Sequence, residues 1–117
     1  MDGYNDVEQY AVGVEIKTNK VLIETDGTKK DIYRKCFYLA GSGGSINHDI
    51  TNLDKFTKVE GLYQRDNTTG NYRPLGGHNA SNIYGATLNV TSTQVVIENN
   101  NVGSYNIFVT LEYTKTN

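Results

Sequence analysis

The stretch Tyr105–Tyr113, YNIFVTLEY, constrains this chain more than any other. Its odd positions, Tyr105, Ile107, Val109, Leu111 and Tyr113, are large and apolar, while Asn106, Phe108, Thr110 and Glu112 between them are mostly polar. Successive side chains of a β-strand point to opposite sides of the pleat. An alternation of period two therefore predicts a strand with one face in a core and the other towards water. Extended backbone rises about 3.3 Å per residue, so this strand spans roughly 30 Å, long enough to predict a central place in its sheet. The remaining strands are expected to pair with it or pack over it.

The rest of the chain reads as short strands between turn signals. Tyr10, Val12, Val14 and Ile16 alternate with Ala11, Gly13, Glu15 and Lys17, predicting a first strand, and Thr18-Asn19-Lys20 predicts a turn into Val21–Glu24. Asp26-Gly27 suits a type I′ hairpin because both residues tolerate positive φ. A strand over Asp31–Leu39 follows, with Tyr33, Phe37 and Leu39 on one face, Ile32, Cys36 and Tyr38 on the other, and Arg34 and Lys35 interrupting both. Ala40–Ser45 is a Gly-rich connection. It lacks the Gly-Lys-Ser/Thr ending and following helix that phosphate binding would need. Asn52–Phe56 reads as a short turn or single helical turn, and Thr57–Gln64 as a strand in which Gly61 marks a bulge. Residues 65–71 read as a turn; Tyr72–Leu75 reads as an edge strand, because Pro74 removes a ladder donor. Strands at Tyr84–Val90 and Gln94–Glu98 complete the set. About seven or eight strands without a long helix predict an all-β fold, an antiparallel β-sandwich or jelly-roll-like domain.

Composition bounds the function. The 117 residues suit one domain, expected over 7–117 after a flexible segment 1–6, and large enough to fold without disulfides or metal. The single Cys36 has no intrachain partner and reads as a small buried hydrophobe. A net charge of -2 gives no electrostatic case for nucleic acid. No apolar run is long enough for membrane insertion by a helix, and the N-terminus has no signal-peptide pattern. His48 and His78 have no second ligand at metal-binding spacing, so no metal and no cofactor are expected, and both read as surface or capping residues. No nucleophile elbow, Cys/His pair or tuned carboxylate pair can be named, so no catalytic residue is assigned and no enzyme is expected. Asn67, Asn79 and Asn89 begin Asn-x-Ser/Thr triplets, which an Asn-rich chain supplies by coincidence.

Tyrosine is the suggestive abundance, at nine residues. Tyr63, Tyr72 and Tyr84 fall beside polar loops carrying Arg65, Asp66, Arg73 and His78. Flat aromatic faces flanked by hydroxyl-binding side chains suit a sugar. The ring packs on C–H bonds while the polar groups bond the hydroxyls. These seven residues are the candidate ligand-binding set; the alternative is that the rings fill the edge of the core.

Several short motifs occur in a fixed order: Asp31-Ile32-Tyr33-Arg34-Lys35 after Asp26-Gly27, Ile46-Asn47-His48-Asp49-Ile50 before Asn52-Leu53-Asp54, Val59-Glu60-Gly61, and Val109–Thr116. In this order they resemble the C-terminal modules of tail-fibre and baseplate proteins of phages and prophages of Gram-positive bacteria, over roughly residues 7–117. The chain departs from that pattern in having no Trp and in reading Gly27-Thr28-Lys29-Lys30-Asp31 where the family often has Gly-Lys-Pro. The resemblance implies a virion or prophage-encoded appendage domain, a homo-oligomer with a trimer favoured, that binds a bacterial cell-surface saccharide or serves as a structural tip. It transfers no binding residues. Phe108, apolar on the polar side of the last strand, is a candidate for burial against a neighbouring subunit. A carbohydrate-binding or adhesion module of a secreted bacterial protein is the alternative expectation.

Overall fold

The structure, a computed structural model of the chain, describes residues 9–40, 44–64, 72–76, 87–98 and 105–116. Eight strands form two antiparallel sheets: β1 (Ile16–Ile23), β2 (Lys29–Leu39), β3 (Gly44–Asn47), β4 (Leu53–Gln64), β5 (Tyr72–Pro74), β6 (Thr87–Val90), β7 (Gln94–Glu98) and β8 (Tyr105–Lys115). The five-stranded sheet has the order β1-β2-β8-β4-β5 and the three-stranded sheet β3-β7-β6, an open sandwich with no helix among the described residues.

The last strand lies at the centre of the larger sheet, between β2 and β4. Ile107, Val109, Leu111 and Tyr113 are all 0% exposed. They meet Phe37 and Leu39 of β2, Tyr63 of β4, and Val95 and Ile97 of β7 in one apolar cluster between the sheets. Tyr33 stacks on Tyr113 at 6.3 Å, and Phe56 meets Tyr113 edge-on at 6.2 Å. We call this face of the larger sheet inner and the opposite one outer.

The outer face differs from expectation. Thr110, Glu112 and Thr114 are buried as well, and Glu112 is only 3% exposed. Directly opposed residues share a face, and the register sets Glu112 between Arg34 of β2 and Lys58 of β4. Arg34 donates to Glu112 Oε2 from Nε at 2.8 Å and from Nη2 at 2.5 Å. Its Nη1 reaches the carbonyl of Gln9 at 2.9 Å, and the Tyr10 ring covers its guanidinium at 4.6 Å. The charged pair is thus satisfied under a lid made from the N-terminal stretch.

That stretch is where the first predicted strand fails. Tyr10, Val12 and Val14 are exposed, and only Val12 bridges to the sheet, beside Cys36. Gly13 at φ 74° reverses the chain. The turn expected at Thr18–Lys20 is instead an irregularity inside β1. There Thr18 Oγ1 donates to the Ile32 carbonyl at 2.6 Å and accepts from Lys20 N–H at 3.1 Å. The β1–β2 hairpin is not type I′, since Gly27 has positive φ and Asp26 does not. Gly27 N–H donates to the Glu24 carbonyl and Glu24 N–H to the Thr28 carbonyl, both at 2.8 Å, a three-residue loop closed by a glycine bulge. β4 begins at Leu53, so of the short turn or helical turn expected over Asn52–Phe56 only Asn52 lies in a turn and the rest is strand, entered through Asp49 and Asn52 at φ 53° and 56°.

Candidate functional site

β5 pairs with β4 only at Leu62, Tyr63 and Gln64. Beyond that, Leu53–Glu60 of β4 has no strand partner on that side among the described residues. Leu75 N–H continues the ladder for one bond, to the Gly61 carbonyl at 2.8 Å, and the chain then crosses to bridge Thr87 from Gly76. This crossing requires Gly61. A Cβ there would stand 2.7 Å from both Leu75 Cδ1 and the Phe108 carbonyl oxygen. Gly61 pairs in register with Val109, so it is a point of close approach rather than the bulge its spacing predicts.

A groove of about 650 Å³ wraps the sheet edge at this point. Val59, Leu75 and Leu88 line it on the inner side, Leu62, Pro74 and Phe108 on the outer, with Tyr72, Arg73, Glu60 and Thr110 as its polar members. Apolar walls with a few polar groups are the usual make-up of a ligand site.

The candidate set divides accordingly. Tyr72 is 59% exposed and Arg73 is exposed, and both line the groove. They leave β5 on opposite faces, Tyr72 opposite Gln64 and Arg73 opposite Tyr63. Tyr63, by contrast with the sequence expectation, is 2% exposed; its ring lies in the inter-sheet core and presents no face to a ligand. The polar loop beside it does not alter this, because the strand period fixes its direction. Arg65, Asp66, His78 and Tyr84 lie outside the described residues. The alternation alone could have separated Tyr63 from Leu62, but Val59, Leu88 and Phe108 reach the groove only through pairing between distant strands. No local signal marks them.

His48 is not a surface residue. It is 1% exposed, and its Nδ1 accepts the Ile50 N–H at 3.2 Å, which leaves the ring proton on Nε2, donated to the Thr91 carbonyl at 3.0 Å. Lys35 Nζ donates to its carbonyl oxygen at 2.7 Å. The imidazole therefore fastens the β3–β4 connection to the β6–β7 turn. Cys36 is fully buried, and burial pushes its thiol pKa up, as expected of a packing residue. Among the described residues, no three His, Cys, Asp or Glu side chains gather as a metal site.

Comparison with known proteins finds no family model, no curated protein and no solved structure that matches this chain.

Proposed function

We propose that the chain is a non-enzymatic module of a phage or prophage tail-associated protein, and that it holds host-surface saccharide at the β4–β5 edge. The observation that carries the binding half is the groove itself, where exposed Tyr72 and Arg73 stand over apolar walls. An aromatic ring at a wet rim offers a flat apolar face with little ordering to be done on binding, and Arg73 offers a fork of N–H donors to ring hydroxyls. The ordered motifs resembling phage appendage modules support the biological half. A trimer would set three such weak sites against a repeating polymer, where avidity multiplies modest affinities.

Pull-down of the chain by Gram-positive cell walls tests the reading. Binding is expected for the native chain and a loss of at least half for the Tyr72→Ala/Arg73→Ala double variant. Native chain that stays in solution beside the walls would remove the saccharide proposal. Light scattering at the mass of a monomer would remove the trimer.

A further inference from the structure

Asn106 adopts φ 50°, a left-handed conformation uncommon for a residue with a side chain. Leu62 faces Phe108 and Gln64 faces Tyr105, so Asn106 and Ile107 together oppose one residue of β4, Tyr63. This is a β-bulge, a device that bends one strand and re-aims a side chain. On the other side the β2–β8 register runs unbroken through Tyr38–Phe108 and Leu39–Ile107. The register shift is therefore confined to the β4 side of β8.

It aims the amide along the outer face. Tyr38 Oη donates to Asn106 Oδ1, and Asn106 Nδ2 donates to Gln64 Oε1 at 2.5 Å, a polar relay from β2 across β8 to β4. Beside the relay runs an apolar row, Tyr38, Phe108, Leu62 and Pro74, one residue from each of four adjacent strands. The Tyr38 and Phe108 rings lie 6.4 Å apart and tilted by 58°. Tyr72, opposite Gln64, closes the row at the sheet edge. Four strands at about 4.8 Å spacing make a platform roughly 14 Å across. Tyr38, Leu62 and Tyr72 are exposed on it.

Charge decides the occupant. Among the described residues, the ionised groups nearest the platform on this face are paired: Arg34 and Lys20 with Glu112, and Lys58 with Glu60 at 3.4 Å. Among the described residues the platform is electrically neutral, with amide and phenol groups where an anion site would have cations. Asn106 is exposed, and its amide has donor and acceptor capacity beyond the relay's own bonds, while Gln64 is buried and anchors it.

We propose that this outer face is a stacking platform for a neutral polysaccharide of hexose or N-acetylhexosamine units. The sugar C–H faces lie on Tyr38, Phe108 and Tyr72, and the hydroxyls exchange hydrogen bonds with Asn106, which the buried Gln64 holds in place. The inference rests on the saccharide reading above and deepens it, naming the sugar class and adding the Asn106 relay to the groove at whose edge it lies.

The test is an array of neutral hexose and N-acetylhexosamine oligomers, with poly(glycerol phosphate) as an anionic arm, followed by titration of the best oligomer into variants. Asn106→Gly is the informative change, because glycine accepts positive φ freely and deletes only the amide. Binding to a neutral oligomer that weakens about tenfold in Asn106→Gly and in Tyr38→Ala, with thermal unfolding unchanged in the glycine variant, supports the platform. Neutral-sugar binding abolished by Arg73→Ala but intact in both platform variants overturns the platform and leaves the groove. A preference for poly(glycerol phosphate) overturns the neutral assignment. An array that stays dark overturns both readings. A changed solution mass in Tyr38→Ala with sugar binding intact gives the face to a second copy of the chain and overturns the proposal.

Discussion

From Val109 to Thr114 the two faces of β8 are buried to nearly the same extent by different physics. Inward, Ile107, Val109, Leu111 and Tyr113 meet an apolar layer across the sandwich, and dispersion with water release holds them. Outward, Thr110, Glu112 and Thr114 are covered within one sheet, with Arg34 of β2 and Lys20 of β1 on Glu112 and the stretch around Tyr10 over Arg34. An apolar face tolerates a hole better than a charged face tolerates an orphan. A buried ion pair adds little net stability over an apolar isostere, whereas half of one is strongly unfavourable.

Changing each face in turn gives the largest expected effects. Glu112→Ala leaves Arg34, 2% exposed, without its carboxylate and is expected to cost about 3–5 kcal/mol in urea unfolding. Leu111→Ala, one residue away, opens a cavity worth about 2–5 kcal/mol. The faces separate in the repair: Arg34→Met with Glu112→Leu is expected to recover most of the loss. If the double variant is no more stable than Glu112→Ala, the outer face depends on the charge itself and the contrast fails.

Gly61→Ala is next. Its new methyl would meet the Phe108 carbonyl oxygen, a backbone atom of the central strand, at 2.7 Å. The expected cost is about 1–3 kcal/mol, as for other overpacked sites. Because Leu75 must also give way, the variant should disturb the groove and weaken cell-wall binding. An Ala variant of native stability would mean that the edge can open without strain.

How much of this was legible beforehand follows from the reach of each signal. β8, β7 and the sandwich class were readable because alternation in one strand directly reports its inner face. Tyr33, Phe37 and Leu39 were correctly separated from Ile32, Cys36 and Tyr38 for the same reason. The strand predicted over Tyr10–Ile16 shows the limit. Its pattern is equally good, but Gly13 turns the chain and its valines stay exposed. Of the candidate site, Tyr72 and Arg73 were legible from an edge strand beside a polar loop. The groove walls and the Asn106 relay were not, since they join residues as distant as Tyr38 and Asn106, brought together only by sheet order.

The inner face is not charge-free, and acid sharpens the contrast at its rim. Glu15 accepts from Tyr113 Oη at 2.7 Å and pairs with Lys115 at 2.9 Å. Burial pushes its carboxyl pKa up, but the hydrogen bonds from Tyr113 and Lys115 outweigh it and hold the pKa below the usual value. A depressed folded pKa contributes stability that is present above the ordinary carboxylate range and is lost as pH falls through the folded value. Urea midpoints taken from pH 7 down to pH 3 should therefore fall more steeply for the native chain than for Glu15→Gln. Parallel curves would detach this rim from stability.

The smallest expected effect on stability falls where the largest effect on binding is expected. Tyr72 sits on a three-residue edge strand, well exposed and outside the inter-sheet cluster. Truncating a side chain that makes few buried contacts shifts stability by no more than about 0.5 kcal/mol. Its ring contributes nothing that folding requires. A Tyr72→Ala variant should unfold at the native urea midpoint and lose cell-wall binding. By contrast Tyr63→Ala, one ladder step away on the opposite face, should cost about 3–5 kcal/mol, as other large aromatic truncations in a core do. If Tyr72→Ala instead destabilises the domain by an amount comparable to Tyr63→Ala, the ring is part of the architecture. The edge would then be packing, and no part of it would be left for a sugar.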